Sequence, residues 1–245
     1  MLETRNLKVQ VEGKQVLNGV DLKVGFRETH IIMGKNGSGK SSLLNTVAKN
    51  PKYKLIDGKI LLAGVDVSKY SVAELAQSGV FLSFQNAPSI SGLSVSMLLK
   101  NSVNSVRNAI GGKPLTAPEY FKLADEYCKL LEIPQEWLKR QVNVGFSGGE
   151  KKRLSMLEML FLNPKIALLD EPDSGVDTDA VAILARAIDY QKAKGTSFVI
   201  VSHYPKLISL AKPNFVHVME SGKIVKTGDI TLAEEIENQG FGDGK

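Results

Sequence analysis

"GKNGSGKSS", Gly34 to Ser42, lies between the apolar run "THIIM" (29–33) and the helix-forming run "KSSLLNTVAKN" (40–50). Its spacing, G-x-x-x-x-G-K-[ST], is that of a strand–loop–helix phosphate cradle. The glycines let the backbone of Gly34, Lys35, Asn36, Gly37, Ser38 and Gly39 turn its N–H groups onto an anion. Lys40 sets a point charge against the β- and γ-phosphates, Ser41 reaches Mg²⁺, and Ser42 belongs to the same cradle. Strand, loop and helix in this order select nucleotide binding over a plain glycine-rich turn.

Further along, "KIALLDEP" (165–172) is an apolar strand that ends in two carboxylates. Ligands of open α/β sheets gather at such carboxyl ends. Asp170 is expected in the Mg²⁺ shell, and Glu171 is free to orient and polarise an attacking water as general base. Between the two motifs, "VGFSGGEKKR" (144–153) is a loop turning into a helix. Ser147, Gly148 and Gly149 there present a second helix start suited to an anion. One chain thus carries two phosphate-facing ends.

The surrounding pattern predicts an α/β fold. "TRNLKVQVEGKQVLNGVDLKV" (4–24) reads as a β-hairpin or small antiparallel sheet, and "GKILLAG" and "GVFLSF" as further strands with the short helix "VAELAQ" between them. From about residue 86 to 140 the texture is that of a helical insertion. The helix "KKRLSMLEMLFLN" follows it, then the strand "KIALLD", the helix "DAVAILARAIDYQKAKG", the strand "SFVIVS" and a closing strand pair at 214–228. Alternating strands and helices predict a mostly parallel sheet between helical layers.

The bulk numbers are those of a soluble globular chain: 245 residues, 43% hydrophobic, 23% charged, net charge +5. The basic residues are scattered rather than gathered in an arm, which speaks against nucleic acid as partner. No apolar run is long enough to cross a bilayer, and "MLETRNLKVQ" lacks a signal-peptide pattern. Cys128 is the single cysteine, which excludes an internal disulfide and fits a reducing, cytoplasmic setting. In "ADEYCKLLEI" it reads as small core filler. His30 and His217 lie in apparent strands without metal-ligand spacing and read as structural.

A phosphate loop, a later Ser-Gly-Gly helix start and an apolar strand ending Asp-Glu together resemble the ATP-binding-cassette ATPases. The resemblance covers essentially the whole chain. It implies a P-loop NTPase fold with a RecA-like core, an N-terminal antiparallel β-subdomain and an inserted helical subdomain. Residues 1–85 and 160–245 would form the catalytic core with the β-subdomain, and 86–159 the helical subdomain. It implies ATP and Mg²⁺ as cofactors, with Ser41, Gln85 and Asp170 at the metal. Ser147, Gly148 and Gly149 would complete the site of a second copy, head to tail, with ATP trapped between subunits. Gln85 would sense metal and attacking water, "SGVD" with Asp177 would couple the two sites, and His203 would contact the γ-phosphate beside the catalytic Glu171.

The wording "VNVGFSGGEKKR", "DEPDSGVDTDA", "VSHY" and "FVHVMESGKIVKTGD", with the ending "IENQGFG", narrows the resemblance to the ATPase of the SUF iron–sulfur cluster assembly system. This implies a soluble scaffold of the SufB/SufD type as partner, docked on the insertion at about 86–140, and no direct membrane contact. One thiol cannot hold a cluster, so iron and sulfide are expected on the partner. An ABC transporter subunit is the alternative, with the same catalytic residues. Three departures stand out. "KVQVEGKQV" has no aromatic to stack on adenine, a contact worth about 1–3 kcal/mol, so nucleotide affinity is expected to be weak. Asp173 adds a carboxylate that raises the site's proton affinity or binds Lys151, Lys152 or Arg153. "FQNAPSISGLS" lacks the acidic, proline-rich wording expected after Gln85.

Overall fold

A computed structural model describes residues 1–240; Phe241 and Gly242 of "IENQGFG" lie outside the described residues. β1 (Leu2–Val11) and β2 (Lys14–Val24) bury one face, with Leu7, Val9, Leu17 and Val20 fully enclosed. That period-two burial is what a half-solvated antiparallel pair requires. β3 (Thr29–Met33) leads through the glycine loop into α1 (Lys40–Val47). β4 (Lys54–Leu62) and β5 (Val65–Asp66) join the first pair in an antiparallel sheet of order β2-β1-β4-β5. α2 (Val72–Gln77) starts at a Ser71–Glu74 capping box and leads into β6 (Val80–Ser83).

The middle of the chain holds β7 (Ile90–Ser94), α3 (Val95–Ala109), α4 (Ala117–Leu130), β8 (Gln141–Val142) and α5 (Gly148–Leu162). β9 (Ile166–Asp170), α6 (Thr178–Ala193), β10 (Ser197–Val201), α7 (Pro205–Ala211), β11 (Phe215–Glu220), β12 (Lys223–Gly228) and α8 (Ile230–Gln239) complete it. The second sheet has order β12-β11-β3-β10-β9-β6, parallel throughout except for the edge strand β12. β3, β9 and β10 are buried at every position. Strands covered on both faces carry continuous apolar runs rather than alternation.

Successive residues of these strands feed opposite cores. Ile32, Leu168 and Val199 pack with α1 and the antiparallel sheet, whereas Ile31, Leu169 and Phe198 pack with α5 and α6. The α/β class and both sheets agree with expectation. The region read as helical from residue 86 instead begins with β7, which pairs with β8, and its first helix starts at Val95. "EWLKRQ" forms only a short 3-10 turn, Gln135–Lys139. A subdomain boundary between 159 and 160 falls inside α5, whose hydrogen-bonded turns run unbroken to Leu162. α7 and α8 had no counterpart in the sequence reading.

The two strand histidines touch. His30 Nδ1 lies 2.9 Å from His217 Nε2, His30 Nε2 lies 3.0 Å from a Glu28 carboxylate oxygen, and His217 Nδ1 lies 2.9 Å from the Thr227 hydroxyl. Burial, with the neighbouring His30, pushes His217 down to about 4. The unfolded chain therefore takes up this proton near the ordinary histidine value of about 6.5, while the folded chain resists until about 4. This contribution to stability is present above pH 6.5 and is lost as pH falls towards 4. The thermal midpoint is expected to drop across that window, and His217→Gln to flatten the drop. An unchanged slope in the variant would remove the pair as its cause.

Candidate functional site

The glycine loop is shaped by steric need. Gly34 has φ +149, and a Cβ there would lie 2.2 Å from the Met219 carbonyl oxygen and 2.7 Å from Ser38 Oγ. No side chain fits, so the backbone can close on a ligand. Lys40 is buried, and its Nζ donates to the carbonyls of Gly34 (2.7 Å) and Lys35 (3.1 Å), which holds the ammonium over the loop. Burial lowers its proton affinity, and the charges of Glu171 and Asp170 oppose that. Ser38 Oγ is buried and has no hydrogen-bond partner among the described residues. A buried orphan hydroxyl in a cradle of backbone N–H groups suits an anion with several oxygens.

The two acidic residues stand at the end of β9, which lies between β10 and the edge strand β6. Ser41 Oγ donates to Asp170 Oδ1 at 2.9 Å. Burial pushes the Asp170 carboxyl up, while the Ser41 hydroxyl and the charges of Lys152 and Lys40 pull it back. A hydroxyl and a carboxylate side by side form the hard oxygen set that Mg²⁺ prefers, so the residues fit this ion. Glu171 sits in the left-handed region at φ 47, a conformation that costs free energy and is held by its surroundings. Its N–H donates to the Val201 carbonyl at 3.0 Å, and its Oε2 accepts from Gln85 Nε2 at 2.7 Å. Gln85 and Glu171, 86 positions apart, thus meet directly.

Of the three basic residues, Lys152 is the one whose charge acts on the carboxylates. It is buried one turn into α5, and its Nζ donates to the main-chain carbonyls of Glu171 (2.9 Å) and Gln85 (3.1 Å). Burial lowers its proton affinity, and Asp170, Asp173 and Glu171 raise it. Asp173 Oδ1 is buried without a hydrogen-bond partner among the described residues, and burial pushes this carboxyl up. Arg153 turns away, donating to the Glu132 carbonyl at 3.3 Å. Helix geometry makes this choice, since adjacent residues on α5 face about 100° apart.

Ser147 and Asp177 act on their own helices. Ser147 Oγ accepts from Glu150 N at 3.3 Å while Glu150 accepts from Ser147 N at 2.7 Å, a capping box. Asp177 Oδ1 accepts from Ala180 N at 2.8 Å and caps α6. Gly148 is exposed, with open space where a side chain would be. Gly148 and Gln85 line one cavity of about 230 Å³. The sequence reading missed Arg140, whose Nη2 donates to the Gly145 carbonyl at 2.9 Å and whose guanidinium lies 3.6 Å over the Phe146 ring. It fixes the loop that aims Ser147, and no spacing rule marks such a contact in advance. His203 follows β10 and is exposed to solvent on one side, while partial desolvation of its ring and the charge of Lys40 lower its proton affinity.

A family model described as ABC transporter matches residues 17–174. The chain is 41% identical over 242 residues to the "Probable ATP-dependent transporter SufC" of Escherichia coli (strain K12), covering 99% of this chain and 98% of that protein. It is 39% identical over 243 residues to the "Iron-sulfur cluster assembly protein SufC" of Plasmodium falciparum (isolate 3D7), covering 98% of this chain and 70% of that protein. Among solved structures, a dimeric ATP-binding cassette in a post-hydrolysis state with ADP and Pi superposes with a TM-score of 0.78 at 21% identity, over 94% of this chain and 99% of that one. At that identity the likeness shows the fold.

Proposed function

The chain belongs to the ATP-binding-cassette family of ATPases, and from that premise we propose that it is the ATP-hydrolysing motor of a SUF-type iron–sulfur cluster assembly complex. The observation that carries this reading is the reach of the similarity. Proteins named SufC are 39–41% identical over 98–99% of the chain, which carries the likeness past residue 174, where the general cassette model stops. Lys152, buried on the main-chain carbonyls of Gln85 and Glu171 near the carboxylates of "DEPD", supports it from within the site. No helix among the described residues is long and apolar enough to cross a membrane.

In this reading, residues 34–42 hold the phosphates of ATP. Ser41, Asp170 and the side-chain amide oxygen of Gln85 would hold Mg²⁺, which would neutralise phosphate charge. Glu171, steadied by Gln85, accepts the proton of an attacking water. His203 faces the γ-phosphate, and Asp177 anchors the loop between the two sites. Ser147, Gly148 and Gly149 of a second copy close the site head to tail, and the closure moves a cytoplasmic scaffold of the SufB/SufD type docked at the helical insertion. Iron and sulfide are cargo of the scaffold. Cys128 is buried with its thiol pushed up to about 11 by burial, which suits a core residue rather than a cluster ligand.

The test is to trap the Glu171→Gln chain with MgATP in its own cells and identify what copurifies without detergent. A soluble pair of β-rich proteins carrying iron is the expected result. Partners recovered only in detergent would replace this reading with transport. Under the proposal, substitutions in 86–140 leave basal hydrolysis intact and abolish its stimulation by the scaffold; equal loss of both would count against docking there.

A further inference from the structure

The loop that ends in Ser147 is fastened to the segment that follows Gln85. Asn143 opens this loop directly after β8, and its side chain is buried. Its Nδ2 donates to the Pro88 carbonyl at 2.9 Å, and its own carbonyl accepts from Ser89 Oγ at 2.8 Å. These bonds join stretches of chain 54 and 55 positions apart. The backbone of Asn143 lies at φ 58, in the left-handed region that asparagine tolerates better than most residues.

The rest of the loop needs that fastening. Val144, Gly145 and Ser147 are exposed, so little burial holds them. The other grip comes from Arg140, whose Nη2 donates to the carbonyls of Gly145 (2.9 Å) and Val144 (3.4 Å). Its guanidinium also covers the Phe146 ring, which meets the buried Trp137 edge-on with centroids 5.1 Å apart. Arg140 thus holds the middle of the loop, and Asn143 sets the point at which it leaves β8. A segment with few buried contacts moves more freely with each restraint removed. Gln85 is held differently. Its carbonyl accepts from Lys152 Nζ at 3.1 Å and its side chain donates to Glu171 at 2.7 Å, and neither bond involves Asn143. Cutting the bond to Pro88 therefore loosens the Ser147 end and leaves the Gln85–Glu171 pair in place.

We propose that Asn143 is a positioning residue that acts across the dimer: through its bond to Pro88 it fixes where the Ser147 helix start meets the nucleotide bound by a second copy. Reaction rate is sensitive to such placement, because misalignment of even about 1 Å at a reacting group is costly. The proposal rests on the preceding reading in that the Ser147 end of one copy closes the site of another.

The test asks on which chain the substitution acts. Asn143→Gly removes the side-chain bond and leaves the left-handed backbone unstrained. Asn143→Asp keeps the size of the side chain and sets a carboxylate against the Pro88 carbonyl. A chain with an active Glu171 is mixed with an excess of Glu171→Gln chains, MgATP is added, and the first turnover is timed. Hydrolysis then comes from sites whose glycine loop belongs to the active chain and whose Ser147 end belongs to the inactive one. With Asn143→Gly on the inactive chain, the first turnover is expected to be roughly three- to tenfold slower than in the unsubstituted mixture, the effect of one hydrogen bond. With Asn143→Gly on the active chain the rate is unchanged. Asn143→Asp gives the same pattern with a larger loss, and the MgATP affinity of the separate chains is unchanged in both variants.

The reverse pattern would mean that Asn143 acts on Gln85 of its own chain. Equal slowing in both mixtures would mean a role in stability alone, and no slowing in either would mean that the bond does not matter. Each of these overturns the proposal. Ser147→Arg in the same two mixtures tests the premise, since head-to-tail closure requires it to slow turnover only from the inactive chain. If Ser147→Arg behaves so and the Asn143 variants do not, this proposal alone fails. If Ser147→Arg shows no dependence on the chain that carries it, head-to-tail closure fails and takes the proposal with it.

Discussion

Glu171→Gln lowers steady-state ATP turnover at least ~100-fold, the lower end of what a general base contributes, and the protein accumulates as a dimer in MgATP. The substitution removes the basic carboxylate and little else. Glutamine has the same length, so an amide oxygen still reaches the Gln85 Nε2 that now bonds Glu171 Oε2 at 2.7 Å. The backbone at 171 stays pinned by its N–H bond to Val201 and by Lys152 on its carbonyl. Nucleotide binding and closure should survive while the chemical step fails, and closed dimer builds up behind the block. Phosphate release and size-exclusion chromatography with MgATP check both halves. Turnover within a few-fold of wild type would take Glu171 out of this role.

Lys40→Ala fails earlier. The ammonium now spans the Gly34 and Lys35 carbonyls, and its loss leaves a buried and a part-buried acceptor unmatched and the phosphates without their point charge. A hydrogen bond from a charged donor is worth about 1.5–3 kcal/mol, so MgATP affinity falls roughly 10- to 100-fold by the same measure. No ATP-dependent dimer forms, which separates this variant from Glu171→Gln. Calorimetric titration of MgATP decides it, and wild-type affinity with wild-type rate would contradict the loop's assigned role.

Where the sequence was legible, the reason was local. Residues 34–42 and 165–171 carry their meaning in consecutive positions, and β3 and β9 appear as unbroken apolar runs because both their faces are covered. α5 was harder. It packs against α3, α4, α6 and β6, so its burial runs almost all round and the three-and-four spacing marks no single face. β7 and β8 lie far apart in sequence and pair through few bonds, which leaves no local signature. Lys152 and Arg140 matter through what surrounds them in space. Three consecutive basic residues look alike in a sequence, and only the turn of the helix buries one of them beside the carboxylates.

That buried lysine has a mechanical consequence. Gly148, which faces outward, and Lys152, which grips the carbonyls of Gln85 and Glu171, are four residues apart on one helix, about 6 Å of rise. A segment that short and fully hydrogen-bonded has no slack. Any tilt of α5 therefore swings the outward-facing end and the inward-facing grip together, as two pins on one crank. A shift of that exposed helix start is therefore felt at Gln85 and Glu171, and a shift of those two residues at the helix start.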